Sequence, residues 1–426
     1  MTASQEPAPI APQRAADVLR LAAIDAARAQ PEAALARLDA YAEIAPLPKA
    51  AAVMRAQVLS RMGRLEEALE ATRALREAYP EAVNIARLMG LLLYRSRMMG
   101  EFEEQFAEAL ERWPADPNLL MTINQLSTED RVFDRFYAIV EERYGQVSFS
   151  PRAHYEYAIA SLRFGKIEQA IAALDAIAAR SAVAGRMRRG LSAFTPDEWR
   201  RRFRVRNDPS LAVQKVHKPG AEATVIVLPG ARNRFDQLHI SYLDALLHDL
   251  PVNVIYLTDP SLRSCVLGVP LLGKGPEETA AALKEIAHGF GSRRVYTMGS
   301  SMGGFSAVRY GGLIGADAVL TVSGYTKLNA AGEELEESER TFMKQPSREF
   351  SPEVRSIRAN LESSPQMRLL QIVASDNPHD VRQAARVEDL PNVRSVRVPG
   401  VADHAGVVHG MIGTGEFQRL LAEWLV

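Results

Sequence analysis

Val295-Tyr-Thr-Met-Gly-Ser-Ser-Met-Gly-Gly304 is the stretch that decides the fold of the second half of this chain. A β-branched and aromatic run over 294–298 feeds a Gly-x-Ser-x-Gly turn, and a helix is expected to follow from Gly303. The pattern is a strand–turn–helix elbow centred on Ser301. Gly299 and Gly303 are needed because a Cβ at either would meet neighbouring backbone, and the turn leaves the serine hydroxyl exposed at the end of a sheet.

Working outward from the elbow, strands and helices alternate from Leu211 onward. Strands are expected at 211–217, 224–228, 252–257, 294–298, 318–323, 367–374 and 393–398, and helices at 236–247, 276–289, 303–311, 380–387 and 415–424. Such alternation predicts a mostly parallel sheet covered on both faces, with ligands at the carboxyl ends of the strands.

Two later strand ends carry the residue types that a serine needs. A serine hydroxyl alone is a poor nucleophile; a histidine must take its proton and a carboxylate must orient and stabilise the imidazolium. Ala374-Ser-Asp-Asn-Pro-His-Asp380 follows one apolar strand, and Val401-Ala-Asp-His404 follows the last. The chain order is Ser, Asp, His. With these three places matched, residues 211–426 resemble the α/β-hydrolase fold.

The resemblance implies Ser301 as nucleophile, His404 as base and the backbone N–H of Met302 as one oxyanion donor. His404 is favoured over His409, which is expected in or near the following helix, and over His379, which lies beside the acid in sequence. Asp376 is the preferred acid by its distance from the strand; Asp380 is the alternative, with capping of the next helix as its other role. The second oxyanion donor is expected from Pro229-Gly-Ala-Arg-Asn-Arg234, where Gly230 lets the backbone turn so that Ala231 or Arg232 presents its N–H. This loop departs from the His-Gly type of many esterases. Arg232, Asn233 and Arg234 either recognise an anionic substrate group or pair with Asp236 or Asp259. Residues 325–365, with the acidic run Glu333-Glu-Leu-Glu-Glu-Ser-Glu, occupy a position where this fold often carries a cap that excludes water.

Residues 15–184 are rich in Ala, Leu, Glu and Arg with helical periodicity. Gly63-Arg-Leu-Glu-Glu-Ala68 matches Gly165-Lys-Ile-Glu-Gln-Ala170, three periods of 34 residues later; Ala34 precedes Ala68 by one period, and Pro80 and Pro114 share the spacing. This half resembles the tetratricopeptide repeat. It departs in the middle, where Phe102 and Phe136 replace the small residue and the glycine does not recur at 97 or 131. Stacked helix pairs make a concave surface, which either is a plain structural array or docks a peptide, a partner protein or a macromolecular substrate.

Residues 1–14, rich in Pro, Ala and Gln, are expected to be disordered, and 185–210 to be a linker. That linker carries Arg186, Arg188, Arg189, Arg200, Arg201, Arg202, Arg204 and Arg206, with Trp199 and Phe203 interleaved. Pairing with acidic residues at a domain junction is favoured over binding a polyanion. Thr195-Pro-Asp-Glu198 reads as the start of a short helix.

The whole-chain balance limits the other possibilities. With 426 residues the chain holds two or three domains, and 51 Lys plus Arg against 52 Asp plus Glu leave no field to recruit nucleic acid or an anionic membrane. The single Cys265 excludes an internal disulfide framework and a multi-cysteine metal site. No phosphate-binding loop or His-Glu-x-x-His motif occurs, so neither a cofactor nor a metal is expected. No apolar stretch reaches a membrane span and the start lacks a secretory apolar region, so a cytoplasmic protein is expected. The residues predict a serine hydrolase of a carboxylic ester. A thioesterase or acyltransferase would use the same residues, and the rival is a repeat scaffold whose hydrolase-like half is silent.

Overall fold

The computed structural model describes residues 16–18, 21–22, 30–126, 130–205, 211–230, 233–259, 264–328 and 355–425. They divide into two compact units. One holds the described residues up to Thr122 together with Asp134–Ser148; the other holds Ile123–Phe133 and the described residues from Phe149 onward.

The helical half runs α1 (Pro31–Ala42), α2 (Lys49–Arg61), α3 (Leu65–Ala78), α4 (Val83–Arg95), α5 (Met99–Arg112), α6 (Pro117–Gln125), α7 (Asp130–Arg143), α8 (Pro151–Arg163) and α9 (Ile167–Asp175). The 34-residue spacing is a packing repeat: Ala34, Ala68, Phe102, Phe136 and Ala170 are all fully buried, the last four each on the second helix of a pair. The bulky members are accommodated by their neighbours. Gly90, on α4, lies so close to Phe106 that a Cβ there would sit 2.4 Å from the ring. Phe102, Phe106 and Phe136 then pack with ring centres 5.3–5.7 Å apart. This is the tetratricopeptide-like arrangement.

The stretch expected as a linker, 185–210, holds two helices among its described residues; 206–210, with Arg206, lie outside them. Ser181 caps α10 (Ala182–Leu191), and Thr195 with Glu198 forms a capping box with Pro196 at the start of α11 (Pro196–Arg202). The expected boundary at 184 falls inside α10. Both helices belong to the second unit. Trp199 is buried there, its indole N–H bonded to the Leu191 carbonyl at 2.8 Å and its ring 4.6 Å from that of Tyr242.

The sheet contains β1 (Val213–Val216), β2 (Ala223–Leu228), β3 (Val252–Leu257), β4 (Arg294–Ser300), β5 (Ala318–Val322), β6 (Arg368–Ala374) and β7 (Val393–Val398). Its order is β1-β3-β2-β4-β5-β6-β7, with β1 antiparallel to β3 and every other pair parallel. The strands β2, β3 and β5 are buried along their whole length, as a parallel sheet covered on both faces requires. Around it lie α12 (Ile240–Leu247), α13 (Pro276–Gly289), α14 (Met302–Ile314), α15 (Arg358–Ser363), α16 (Pro378–Ala385), α17 (Val408–Gly413) and α18 (Glu416–Leu425). This is the α/β-hydrolase fold. The expected helix at 236–247 begins only at Ile240, because Phe235 to Leu238 make a tight turn with Asp236 and Gln237 at φ +46° and +71°.

The helix α10 lies against α17 at backbone distance. A Cβ on Gly413 would be 2.7 Å from the Arg189 carbonyl oxygen, and one on Gly190 would be 3.0 Å from that of His409. The arginines of the former linker pair mostly with acids of their own unit: Arg186 with Asp403, Arg188 with Asp175, Arg202 with Asp249, and Arg204 through two bonds with the buried Asp244. Arg200 pairs with Glu168 and Asp197.

Candidate active site

The elbow forms as its glycines dictate. A Cβ on Gly299 would lie 2.1 Å from the Gly303 carbonyl oxygen, and one on Gly303 would lie 2.5 Å from that of Pro229. Ser301 itself sits at φ +53°, ψ −125°, a costly conformation for a residue with a side chain. It is held there by its N–H to Val322 and by the Tyr325 N–H to its carbonyl, at 2.9 and 3.1 Å. Met302 opens α14, so its N–H has no acceptor within the helix.

His404 lies between Ser301 and an aspartate. Its Nε2 is 2.8 Å from Ser301 Oγ and its Nδ1 is 2.5 Å from Asp380 Oδ1. With a proton on Nδ1 donated to Asp380, Nε2 is left to accept from the serine. Asp380 is fully buried in its side chain, and His404 is 13% exposed. The rings of Tyr325 and His379 lie 5.7 and 5.8 Å from that of His404.

The structure brings Asp380 to His404, and not the preferred Asp376. Asp376 is exposed and its carboxylate takes the Ser375 hydroxyl at 2.6 Å. The reason is the helix start. Asn377 caps α16, its side-chain oxygen accepting from the N–H groups of His379 and Asp380, and Pro378 follows at the first position. Capping is therefore done by Asn377, which frees the Asp380 carboxylate one turn in to face His404. His409 lies on α17, fully buried and away from the serine pair; burial, with the Arg186 cation adding to it, pushes its imidazole down to about 3.

The expected oxyanion loop is described in part. Ala231 and Arg232 lie outside the described residues. Gly230 uses its own N–H on the Arg234 carbonyl at 2.8 Å, and a Cβ on it would be 2.7 Å from the Ser300 carbonyl oxygen, so its role is close approach to the elbow strand. Asn233 is engaged with Asp259, donating to its carbonyl at 3.1 Å and accepting its N–H at 2.8 Å. Arg234 is buried; it reaches Gln237 and, at 3.1 Å, the carbonyl of Asn124, whose amide bonds Glu156 of α8. Neither side chain is set to meet a substrate. Of the expected cap, 325–365, residues 329–354 lie outside the described residues, and the described ends are joined by Leu328 N–H to Arg355 at 2.7 Å and Ile357 N–H to Thr326 at 3.1 Å.

Sequence reasoning missed Asp236. It is buried, and its carboxylate accepts the Gly406 and Val408 N–H groups at 2.7 and 2.8 Å, just beyond His404. Burial pushes it up to about 6 against the opposing pull of those amides and of His404. No motif announces it. Among the described residues no group of three or more His, Cys, Asp or Glu is placed to hold a metal, and no helix is long and apolar enough to cross a membrane.

No protein-family model and no curated protein sequence matches the chain. Solved structures resemble its parts. A carboxylesterase study of Nitrososphaera gargenis gave one that covers 50% of this chain and 92% of its own, with 16% identity and a TM-score of 0.33. A capsule O-acetyltransferase of Neisseria meningitidis serogroup A covers 49% and 91%, with 14% identity and a TM-score of 0.34. MamA of AMB-1 covers 38% and 89%, with 14% identity and a TM-score of 0.25. These are likenesses of backbone arrangement.

Proposed function

We propose that the protein is a serine-dependent hydrolase of a carboxylic ester. The observation that carries this reading is the continuous chain from Ser301 Oγ through His404 to Asp380, at 2.8 and 2.5 Å, on a strained elbow. Ser301 attacks the acyl carbon as His404 Nε2 takes its proton, and Asp380 steadies the imidazolium. The developing oxyanion meets the N–H of Met302 and a second donor assigned to Ala231. His404 then passes the proton to the departing alcohol, leaving an acyl-enzyme; water, deprotonated by the same histidine, releases the acid. An alcohol in place of that water would make the same residues an acyltransferase, and a thioester would be cleaved in the same way. The helical repeats are assigned to docking a protein partner or a macromolecular substrate.

Labelling with a fluorophosphonate, with the adduct located by mass spectrometry, tests the reading. Modification of Ser301 that disappears in Ser301→Ala and His404→Ala, followed by turnover of a panel of ester and thioester substrates, supports it. A folded protein that takes no label supports the silent scaffold instead.

A further inference from the structure

The backbone of residues 401–408 is held from several elements, and His404 is carried between the holds. The Asp376 N–H bonds the Val401 carbonyl at 3.1 Å, and the Asn377 amide bonds that of Ala402 at 2.9 Å. Arg186, on α10, bonds the Asp403 carboxylate at 2.7 Å. The holds converge on Gly406, at φ +74°: its N–H goes to Asp236 and its carbonyl faces Arg186 Nε at 3.4 Å. The second oxygen of Asp236 takes the Val408 N–H, while its own N–H donates to Ser300 Oγ at 2.8 Å. One buried residue thus ties the segment before the nucleophile to the segment after the histidine.

The geometry points to Asp236, with Arg186 on the opposite side of Gly406, as a positioning pair that sets His404 Nε2 against Ser301 Oγ. This rests on the reading of Ser301 and His404 as the reacting pair. A carboxylate suits the place because it alone offers two acceptors to two amides; an asparagine offers one and turns an N–H₂ toward a donor. A buried carboxylate with backbone partners only is costly to keep, unlike an exposed one. Because Arg186 belongs to α10, a helix placed in the sequence at the end of the repeats takes part in aligning the hydrolase site.

The test uses the full chain and the rate of fluorophosphonate labelling at Ser301, with thermal melting to verify folding. Asp236→Asn and Arg186→Met should each label at least about tenfold more slowly, and the double variant should be slowed by less than the product of the two, since both act through Gly406. Arg202→Gln, which breaks the pair with Asp249, should label at the parent rate. The groups facing His404 are Asp380 and His379 from α16, Tyr325 after β5 and Asp236 after β2. Loss of the Asp236 charge should therefore move the acid limb of the labelling rate to lower pH, which a purely structural role would not do. A folded Asp236→Asn that labels at the parent rate, or slows with an unmoved acid limb, overturns the inference alone. If Asp236→Asn does not fold, parent-rate labelling by Arg186→Met overturns it. Absence of labelling in the parent protein overturns the nucleophile reading beneath it.

Discussion

Asp380 meets His404 across 2.5 Å because Asn377, and not an aspartate, caps the helix that carries Asp380. The two acids of this loop therefore have different expected consequences. Asp380→Asn should reduce kcat by about 10²–10⁴-fold with little change in KM, as loss of the orienting carboxylate does in a serine triad. Asp376→Asn should leave kcat within about threefold, since the residue is exposed and bonds its own neighbour. Steady-state kinetics on any ester that the protein turns over distinguishes them.

Asn377→Ala is predicted to act on both levels. Loss of the cap should destabilise the protein by about 1 kcal/mol. The same change releases the Ala402 carbonyl, so kcat should fall along with the melting temperature.

His409 predicts an acid-sensitive stability. Its folded value of about 3 lies below its ordinary value, so its contribution is fully present above about 6.5 and is lost as pH falls toward 3, where the unfolded chain binds the proton first. Asp236 runs the other way: raised to about 6, it contributes below about 4 and loses that contribution as pH rises through 6. Denaturant melts of His409→Leu should show a flatter decline between pH 6.5 and 3 than the parent, the difference reaching the order of 4 kcal/mol. Parallel curves would refute this.

Gly299→Ala should abolish the site and cost more than about 3 kcal/mol, because the new methyl would meet backbone with no room to rotate away. The measurement is a melt together with labelling at Ser301.

Trp199→Ala should cost about 3–5 kcal/mol. Since Trp199 packs on Tyr242 of α12, the loss should appear in the transition of the hydrolase unit, followed by labelling competence on heating.

Much of this architecture is legible in the residues. The parallel strands announce themselves because burial on both faces leaves continuous apolar runs, and the elbow because Gly299 and Gly303 admit no substitute. Ser301 and His404 follow from their strand ends. Asp376 is preferred over the alternative Asp380 in the sequence, whereas His404 pairs with Asp380, because distance along the chain says nothing about which side chain a helix start consumes; Asn377-Pro378 was the available signal. Asp236 is illegible, since its partners are backbone amides 170 and 172 positions away. The pairing of Arg186, Arg188, Arg200, Arg202 and Arg204 with acids is legible, but their helices are not, because charge hides a buried face whose large apolar anchors are only Met187, Leu191 and Trp199.

The glycines at 190 and 413 have a practical corollary for anyone who rearranges this protein. Where two helices touch through bare backbone, neither tolerates a substitute partner, so α10 cannot be exchanged for the last helix of another repeat array. A chimera that grafts new repeats ahead of the second unit must splice upstream of α10 and keep that helix as native cargo; a splice at 185 would begin mid-helix and remove the Ser181 cap of the helix that carries Arg186 to Asp403.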